Sequence, residues 1–365
     1  MKNKIRVAIL FGGKSAEHEV SLQSAKNIVE AIDKTKYEPV LIGIDKAGRW
    51  LQKDGAHFLL NSNNPKLIKL NTASSTSVAF IPECHGKIVN LTTAKQNAAI
   101  DVVFPIVHGP FGEDGTMQGL LKLANIPFVG PSVLGSAVGM DKDVMKRLLR
   151  DAGIPIAKCI IVTQNEIPAY QTVVKKLKSP FFIKPANLGS SVGISKVHSQ
   201  KEYSKSIQLA FQFDRKVIVE ENIVGREIEC SVLGNENPIA SIPGEVISTH
   251  EFYSYEAKYI DENGAALKIP AKLSKSAIKK IQTLAVKTFQ TLCCEGLGRV
   301  DFFLKKNGDV LVNEINTIPG FTAISMYPKL WEASSISYTE LIDRLIQLAI
   351  DRFQKEQKLK TSYKA

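Results

Sequence analysis

Asp301 and Glu314 are two acidic residues whose spacing lets them face one another across a β-hairpin. Two runs of β-branched and aromatic residues flank the dipeptide Asn307-Gly308, which is a strong signal for a tight hairpin turn. A hairpin centred on that dipeptide pairs Asp301 with Glu314, and directly opposed residues have Cβ atoms about 4.5–5.5 Å apart. Carboxylates this close repel unless a cation lies between them. The pair therefore predicts a site for a hard divalent ion, Mg²⁺ above all, which shares its oxygen ligands with phosphates.

The same pairing places Arg299 opposite Asn316 on the polar face of the hairpin, because side chains alternate along a strand. It also predicts that Phe303 and Val312 lie on this face. An ordinary hairpin with a solvated acidic face is the alternative interpretation. Apolar side chains on the acidic face, and the Thr-Ile-Pro-Gly sequence at 317–320 directly after it, favour the ion site.

A second group of residues suited to phosphate binding precedes the hairpin. Lys184 ends a predicted strand and is followed by the Gly/Ser-rich loop 186–193, whose N–H groups could surround phosphate oxygens while the lysine neutralises them. Glu220, at the end of the next strand, could border an adenine, and Glu227 could accept from ribose hydroxyls. Each residue alone is more often solvated, but together with the acidic hairpin they predict a nucleotide site.

The N-terminal part has the pattern of a parallel α/β unit. Strands are predicted at 6–11, 37–44 and 101–107, with a helix after the glycine turn 12–13. Neither the P-loop nor the three-glycine dinucleotide motif is complete here. Ligands of open α/β sheets gather at the carboxyl ends of strands, so His108, directly after the third strand, is expected to contact a ligand.

Three other segments complete the organisation of the chain. Residues 52–98 are polar and irregular in pattern, and we interpret them as a peripheral insertion without chemistry. Residues 250–264 are polar but hold three tyrosines, which is typical of a lid that packs when a ligand is bound. Residues 338–354 predict an amphipathic closing helix.

Composition limits the class of protein. The chain has 365 residues, 44% of them hydrophobic and 23% charged, as expected of a globular protein with two or three domains. The net charge of +11 favours an anionic ligand, but the basic residues are scattered, so no nucleic-acid partner is expected. No apolar run is long enough to span a membrane. Five scattered cysteines without a CxxC motif indicate reduced thiols and a cytoplasmic location.

Several long motifs follow one another along the chain: GGKSAEHEVSL at 12–22, HGPFGEDG at 108–115, MDKDVMKRLL at 140–149, KPANLGSSVG at 184–193, GREIECSVLGN at 225–235, FYSYEAKYID at 252–261, and GRVDFFL with NEINTIPGFT near the end. In this order they resemble the D-alanine–D-alanine ligase family of the ATP-grasp superfamily. The resemblance implies an α/β fold with an N-terminal parallel-sheet α/β domain (1–130). A two-subdomain ATP-grasp fold would follow at 131–222 and 223–365, with the lid loop at 250–264.

The resemblance also implies roles for individual residues. Those expected to bind ATP are Lys142, Lys184, Ser190, Ser191, Glu220, Ile223, Glu227, Phe252, Lys258 and Phe303. Two Mg²⁺ ions, which Mn²⁺ can replace, would be held by Asp301, Glu314 and Asn316. The residues expected to act on the two amino acids are Glu17 for the first ammonium, His108 for placing the first substrate, Ser325 for the second carboxylate, and Arg299 with the Gly320 N–H for the oxyanion. Glu17, Ser190 and Tyr259 would form a hydrogen-bonded set.

The reaction implied is ligation of two D-alanines for peptidoglycan precursors. ATP would phosphorylate one D-alanine to an acyl phosphate, and the amine of the second would displace phosphate. A homodimer is expected. One residue departs from the family, because Glu221 stands where some members carry Lys, which leaves the adenine contact there open. The alternatives are an ATP-grasp ligase for another acid, or an ATP-binding regulatory protein with a decayed site. Retention of Arg299 and all the metal ligands disfavours decay.

Overall fold

The computed structural model describes residues 4–53, 58–65, 67–83, 85–97, 99–248, 265–360 and 362–363. The first part of the chain contains β1 (Ile5–Gly12), α1 (His18–Ala31), β2 (Tyr37–Ile44), β3 (Trp50–Lys53), β4 (Leu59–Leu60), β5 (Lys69–Leu70), β6 (Thr76–Phe80), β7 (Ile88–Asn90), β8 (Val102–Ile106) and α2 (Thr116–Leu123). Strands β1, β2 and β8 are mutually parallel, as predicted. Residues 7–11 of β1 and 102–106 of β8 are unbroken apolar runs, and all of them are buried.

The interpretation of residues 52–98 as an irregular insertion is wrong. Strands β3, β6 and β7 extend the first sheet in antiparallel fashion, giving the order β7-β6-β3-β2-β1-β8. The strands have only three to five residues and no regular alternation of polar and apolar side chains, so periodicity alone did not reveal them. This part of the chain therefore contributes to the sheet, at the side away from β8.

The middle of the chain forms a second sheet with helices around it. Its elements are α3 (Val133–Met140), α4 (Lys142–Asp151), β9 (Cys159–Thr163), α5 (Tyr170–Leu177), β10 (Phe181–Pro185), β11 (Ser195–Val197), α6 (Gln200–Ala210) and β12 (Lys216–Glu221). The strands pair antiparallel in the order β11-β10-β12-β9. Asp141 caps α4 by accepting hydrogen bonds from the N–H groups of Asp143 and Val144.

The last part of the chain forms a third, antiparallel sheet. Its elements are β13 (Arg226–Gly234), β14 (Ile239–Ala240), β15 (Gly244–Ser248), β16 (Ala265–Lys268), α7 (Lys275–Thr291), β17 (Gly296–Leu304), β18 (Val310–Asn316), α8 (Met326–Ala333) and α9 (Tyr338–Glu356). The strand order is β16-β15-β13-β17-β18, with β14 beside β13. The predicted closing helix is confirmed as α9. None of the helices in the described ranges is both long and apolar enough to cross a bilayer.

The β17–β18 hairpin pairs Asp301 with Glu314 and Arg299 with Asn316, as predicted. The turn, however, is not the one that the prediction assumed. Its turn closes between Lys305 and Asp309, with Gly308 at a positive φ of 85°, which offsets the pairing by one residue. A bulge at Asn313 then removes that offset, so Asp301 faces Glu314 as expected. Between the turn and the bulge, the predicted pairing is wrong by one residue, so the side chains of β18 there lie on the opposite face from the one expected.

Val312 is the residue on which that prediction fails. It pairs with Phe302 on the buried face of the hairpin and has no exposed surface. Leu311 takes the place opposite Phe303 instead.

Arg352, on α9, connects the last helix to the segment that follows α2. Its guanidinium donates to Gly130 O at 2.5 Å and Phe128 O at 2.8 Å, and lies 3.3 Å from Glu295. It also stacks 4.6 Å over the ring of Phe128. Burial lowers the pKa of this arginine, although Glu295 opposes the shift. A buried cation with this many partners cannot be removed without leaving two carbonyls without a donor.

We predict that Arg352→Met lowers the free energy of unfolding by about 2–4 kcal/mol, because buried carbonyls and Glu295 lose their cation. Urea unfolding followed by tryptophan fluorescence measures the change, since Trp331 lies in the same core. Arg344→Met is the matched control on the same helix, because Arg344 forms an exposed pair with Glu340 and should cost less than about 1 kcal/mol. An equal loss of unfolding free energy in both variants would show that burial of Arg352 adds nothing to stability.

Candidate active site

Three strands of the third sheet present a polar face made of successive rungs. Across β13, β17 and β18 the rungs are Glu227–Phe303–Leu311, Glu229–Asp301–Glu314 and Ser231–Arg299–Asn316. The alternate residues of β17, such as Val300 and Phe302, are buried in the apolar core beneath. The sheet therefore holds three carboxylates on its middle rung with an arginine and an amide on the next.

Arg299 supplies the positive charge of this face. Its Nε lies 2.8 Å from Asp301 Oδ1 and 2.8 Å from Glu229 Oε2, and its Nη2 lies 2.8 Å from Asp301 Oδ2. Burial alone would lower the pKa of the guanidinium, but Asp301, Glu229 and Glu314 raise it well above its ordinary value. Asn316 Nδ2 donates to Asp301 Oδ2 at 2.9 Å. One connected polar network therefore contains Arg299, Asp301, Glu229 and Asn316.

Two buried lysines extend the network towards the second sheet. Lys142 is the first residue of α4, and its ammonium lies 3.3 Å from Glu314 Oε2 and 2.6 Å from Leu188 O. Lys184, on β10, pairs with Glu220 at 2.7 Å. Burial opposes charge on Lys184, but Glu220 and then Glu314 raise its pKa. Both ammonium groups are therefore held near the acidic face.

Glu220 has a role that its sequence position did not indicate. Its carboxylate is 3% exposed and lies between Lys184 and Lys146, with Lys146 Nζ at 2.5 Å. Burial raises the pKa of this carboxyl, but the two lysines lower it overall. Glu220 thus holds the ammonium groups of two buried lysines in place.

The Gly/Ser loop 186–193, which follows a strand of the second sheet, contacts the N-terminal part of the chain. Ser190 Oγ donates to Glu17 Oε1, next to the start of α1. Ser190 and Ser191 have positive φ angles of 50° and 60°, a conformation that non-glycine residues adopt at a cost. Successive N–H groups of a loop in a turn conformation can bind an anion, and Glu17 contacts this loop through Ser190.

His108 lies at the carboxyl end of β8, and both of its ring nitrogens have protein partners. Nδ1 lies 3.0 Å from Ile318 O, and Nε2 lies 3.4 Å from Ser24 Oγ. Because a carbonyl only accepts, Nδ1 carries the proton. Burial lowers the pKa of the imidazole, although Glu17 opposes the shift. The ring is 3% exposed, so it contacts the segment after β18 rather than open space.

Gly320 and Ser325 lie in the loop between β18 and α8. Residues 317–319 are buried, whereas Gly320 is half-buried. Within the described part of the chain, the N–H of Gly320 meets no hydrogen-bond acceptor. Ser325 is the N-cap residue of α8, and its Oγ accepts from the Thr322 N–H at 3.0 Å. A Cβ on Gly320 would lie 2.7 Å from Ser325 Oγ, so a larger residue at this position would displace the serine hydroxyl.

Comparisons with known proteins agree with this geometry. Models of the D-ala D-ala ligase N-terminus and C-terminus match residues 6–131 and 148–347. The D-alanine–D-alanine ligase of Oceanobacillus iheyensis is 57% identical over 362 residues, which cover 98% of this chain and 99% of that protein. This chain belongs to the D-alanine–D-alanine ligase family.

Two solved structures of family members also match. The D-alanine–D-alanine ligase from Coxiella burnetii has a TM-score of 0.84 and 41% identity, covering 97% of this chain and 96% of that one. The VanG D-Ala:D-Ser ligase from Enterococcus faecalis has a TM-score of 0.85 and 36% identity, covering 95% and 100%. The expected fold, an N-terminal α/β domain with an ATP-grasp fold after it, is confirmed. The domain boundaries stay a prediction.

Other residues that the ligase family resemblance singled out are placed as follows. Glu227 and Phe303 face one another on the outer rung, and Ile223 is half-buried in the connection between β12 and β13. Phe252, Lys258 and Tyr259, with the rest of the 250–264 lid, lie outside the described residues. Their roles stay predictions.

Sequence reasoning missed four residues of this ligase site: Lys146, Glu229, Leu311 and Glu113. Lys146 is buried one helical turn after Lys142, and a lysine repeated at that spacing could have indicated a second inward cation. Glu229 follows Glu227 by two residues and so had to share its face. The bulge at Asn313, which the sequence did not reveal, places Leu311 opposite Phe303. Glu113 was not singled out, because one of its two partners, Ile318, lies 205 positions further along the chain.

Glu113 accepts two main-chain hydrogen bonds, from Gly109 N at 2.7 Å and Ile318 N at 3.1 Å. Burial and the neighbouring charge of Glu17 raise the pKa of its carboxyl to about 8, although the two N–H groups and Lys142 oppose the shift. The folded protein therefore holds this proton more tightly than the unfolded chain does. The stabilisation is fully present below the ordinary pKa of 4.5 and is lost as pH rises through about 8.

We predict that the melting temperature of the ligand-free wild type, relative to Glu113→Gln, falls by about 5 °C between pH 5 and pH 9. Glutamine does not titrate, so it reports the protein without this ionisation. Scanning calorimetry across pH measures the difference. The control is Glu245→Gln, because Arg226 lowers the pKa of Glu245 and its difference from wild type should stay constant over this range. A constant difference for Glu113→Gln as well would contradict the raised pKa.

Proposed function

We propose that this chain is an ATP-dependent ligase that joins two D-alanine molecules into D-alanyl-D-alanine for peptidoglycan precursors. The observation that carries the proposal is the rung of opposed carboxylates, Asp301 and Glu314, with Arg299 beside it and Lys142 in contact with it. Family membership over nearly the whole chain supports the same activity. The cytoplasm, a homodimer and the absence of a nucleic-acid partner are part of the proposal.

Asp301, Glu314 and Asn316 are the residues proposed to hold Mg²⁺, or Mn²⁺ in its place. Their oxygens are the hard donors that such ions prefer. In the described ranges, no three His, Cys, Asp or Glu side chains converge closely enough to hold an ion by themselves. Phosphate and water oxygens would therefore complete the coordination, as is usual for Mg²⁺. When bound, the ions would neutralise charge on the transferring phosphoryl group.

ATP would lie between the second and third sheets. Lys142 and Lys184 are proposed to contact its phosphates, with Ser190 and Ser191 covering them. Transfer of the γ-phosphate spreads negative charge over the phosphoryl oxygens, and fixed cations stabilise that charge without having to reorganise. Because Lys142 is tied to Leu188 O, it links the covering loop to the acidic rung.

The first D-alanine would be converted to an acyl phosphate, because a free carboxylate is too poor an electrophile for amide formation. Glu17 is proposed to bind its ammonium group. The amine of the second D-alanine attacks the acyl carbon, the oxyanion collapses, and phosphate leaves. Arg299 and the Gly320 N–H are the proposed partners of the oxyanion; the N–H has no acceptor among the described residues, which supports that role.

Ser325 is proposed to receive the carboxylate of the second D-alanine. It opens α8, and the N-terminus of a helix attracts anions. The match to a ligase named for D-serine raises the question of the second substrate. Tyr259 is proposed to favour an amine over a hydroxyl as the nucleophile.

The test of the proposed function is a phosphate-release assay with ATP and Mg²⁺ across D- and L-amino acids and D-lactate. Release that requires D-alanine, with equal amounts of D-alanyl-D-alanine by mass spectrometry, is the expected result. D-Serine and D-lactate should give little mixed product. Release that does not depend on any amino acid, or a product from another acid, would overturn the proposal.

We predict that Glu314→Gln lowers turnover by about a hundredfold or more and moves the Mg²⁺ dependence to higher concentration, because a neutral amide binds a hard dication poorly. Phosphate release across a Mg²⁺ titration measures both effects. Glu245→Gln is the matched control, since Glu245 pairs with Arg226 in the same sheet, away from the acidic rung. An unchanged Mg²⁺ dependence for Glu314→Gln would refute the paired ligands, provided the melting temperature shows a folded protein.

A further inference from the structure

The segment from Ile318 to Phe321, here called the 318–321 segment, follows the third sheet in sequence but is bonded to residues before position 114. Ile318 N–H donates to Glu113 at 3.1 Å, and Ile318 O accepts from His108 at 3.0 Å. Phe321 N–H donates to Ser24 Oγ at 3.1 Å. Both side chains are also buried, with Ile318 at 2% and Phe321 at 0% exposure. The two ends of the segment are therefore fixed to the N-terminal part of the chain.

The carbonyl of Phe321 completes this set. It accepts from Asn27 Nδ2 at 3.0 Å and from Tyr338 OH at 2.6 Å. All four main-chain polar groups of Ile318 and Phe321 thus have partners. Between these residues Pro319 has no N–H, and the N–H of Gly320 meets no acceptor in the described ranges. The segment is therefore held on both sides of the Gly320 N–H.

The hydrogen bonds of His108 and Ser24 to this segment are mutually compatible, because each can have one donor and one acceptor. His108 Nδ1 must donate to the carbonyl of Ile318, so Nε2 of the neutral ring is an acceptor. Ser24 can then accept from Phe321 N–H and donate its own proton to His108 Nε2, 3.4 Å away. Ser24 and His108 therefore connect the two ends of the segment through side chains alone. Removal of either partner would leave a buried polar group without a hydrogen bond.

We propose that Ser24, Asn27, His108 and Glu113 are positioning residues that aim the Gly320 N–H at the oxyanion. The inference deepens the proposed function and rests on it. It also assigns the N-terminal part of the chain a second task besides substrate binding. His108 acts through the 318–321 segment rather than by contact with the first D-alanine.

The proposal predicts a loss of turnover without a loss of binding. Ser24→Ala and Glu113→Gln should each lower kcat by about 10- to 100-fold, since a misplacement of about 1 Å in an oxyanion donor has effects of this size. The KM values for ATP and D-alanine should stay within about threefold. Inhibition by a tetrahedral phosphinate analogue of the dipeptide should weaken by a factor similar to the loss in kcat, because that analogue presents the oxyanion.

The double variant Ser24→Ala with Glu113→Gln should lose less than the product of the single losses, because both residues hold one segment. Ser21→Ala is the matched control. Ser21 is equally buried one turn earlier on α1, and it bonds to Gly12 and Ile106 instead. Its kcat should stay within about threefold of wild type, whatever its melting temperature. If Ser24→Ala does not fold, Asn27→Ala, at a half-buried position, tests the same segment.

Three outcomes would overturn the inference. They are unchanged kcat in Ser24→Ala, Glu113→Gln and Asn27→Ala, an equal loss of kcat in Ser21→Ala, or a raised KM for D-alanine at unchanged kcat. The last would make Glu113 or His108 a substrate contact. Absence of D-alanine-dependent phosphate release by the wild type is a different result, which would reject the proposed function itself.

Discussion

Electrostatic repulsion among the three carboxylates on the middle rung of the third sheet is the constraint on which the rest of the site depends. Glu229, Asp301 and Glu314 stand side by side because strand pairing fixes their spacing. Like charges about 5 Å apart repel by about 3 kcal/mol at an effective dielectric constant near 20. Arg299 and Lys142 offset that repulsion in this structure. A dication that entered the rung would have to share the carboxylates with these two side chains.

Polar contacts at the site also link the three parts of the chain. Glu17 meets Ser190 between the first and second sheets, and Lys142 meets Glu314 between the second and third. Glu113 meets Ile318 between the first and third. These contacts are polar and directional, unlike the apolar core that the first and last parts of the chain share, so they fix orientation at the site. Nucleotide and substrates that lie among them would meet groups from all three sheets at once.

The sequence predicted the opposed carboxylates, the strand with Lys184 and the parallel strands β1, β2 and β8, because alternation and apolar runs are local signals. It did not predict that a turn offset and a bulge at Asn313 cancel, and so it placed Val312 on the wrong face. Strands β3, β6 and β7 were missed because they are short and their pairing depends on the neighbouring strand β2, which is distant from β6 and β7 in sequence. Glu113 was missed for a related reason, since its partner Ile318 is 205 positions away.

The central claim is that a D-alanine carboxylate is activated by phosphorylation and then displaced by an amine. Oxygen labelling tests it most directly. D-alanine with both carboxylate oxygens as ¹⁸O is incubated with ATP, Mg²⁺ and the enzyme in ordinary water, and the released phosphate is analysed by mass spectrometry. An acyl phosphate leaves one carboxylate oxygen on phosphorus, so each phosphate should carry one ¹⁸O atom and the new amide should keep the other. Phosphate without label, formed at the same rate as the dipeptide, would contradict the account.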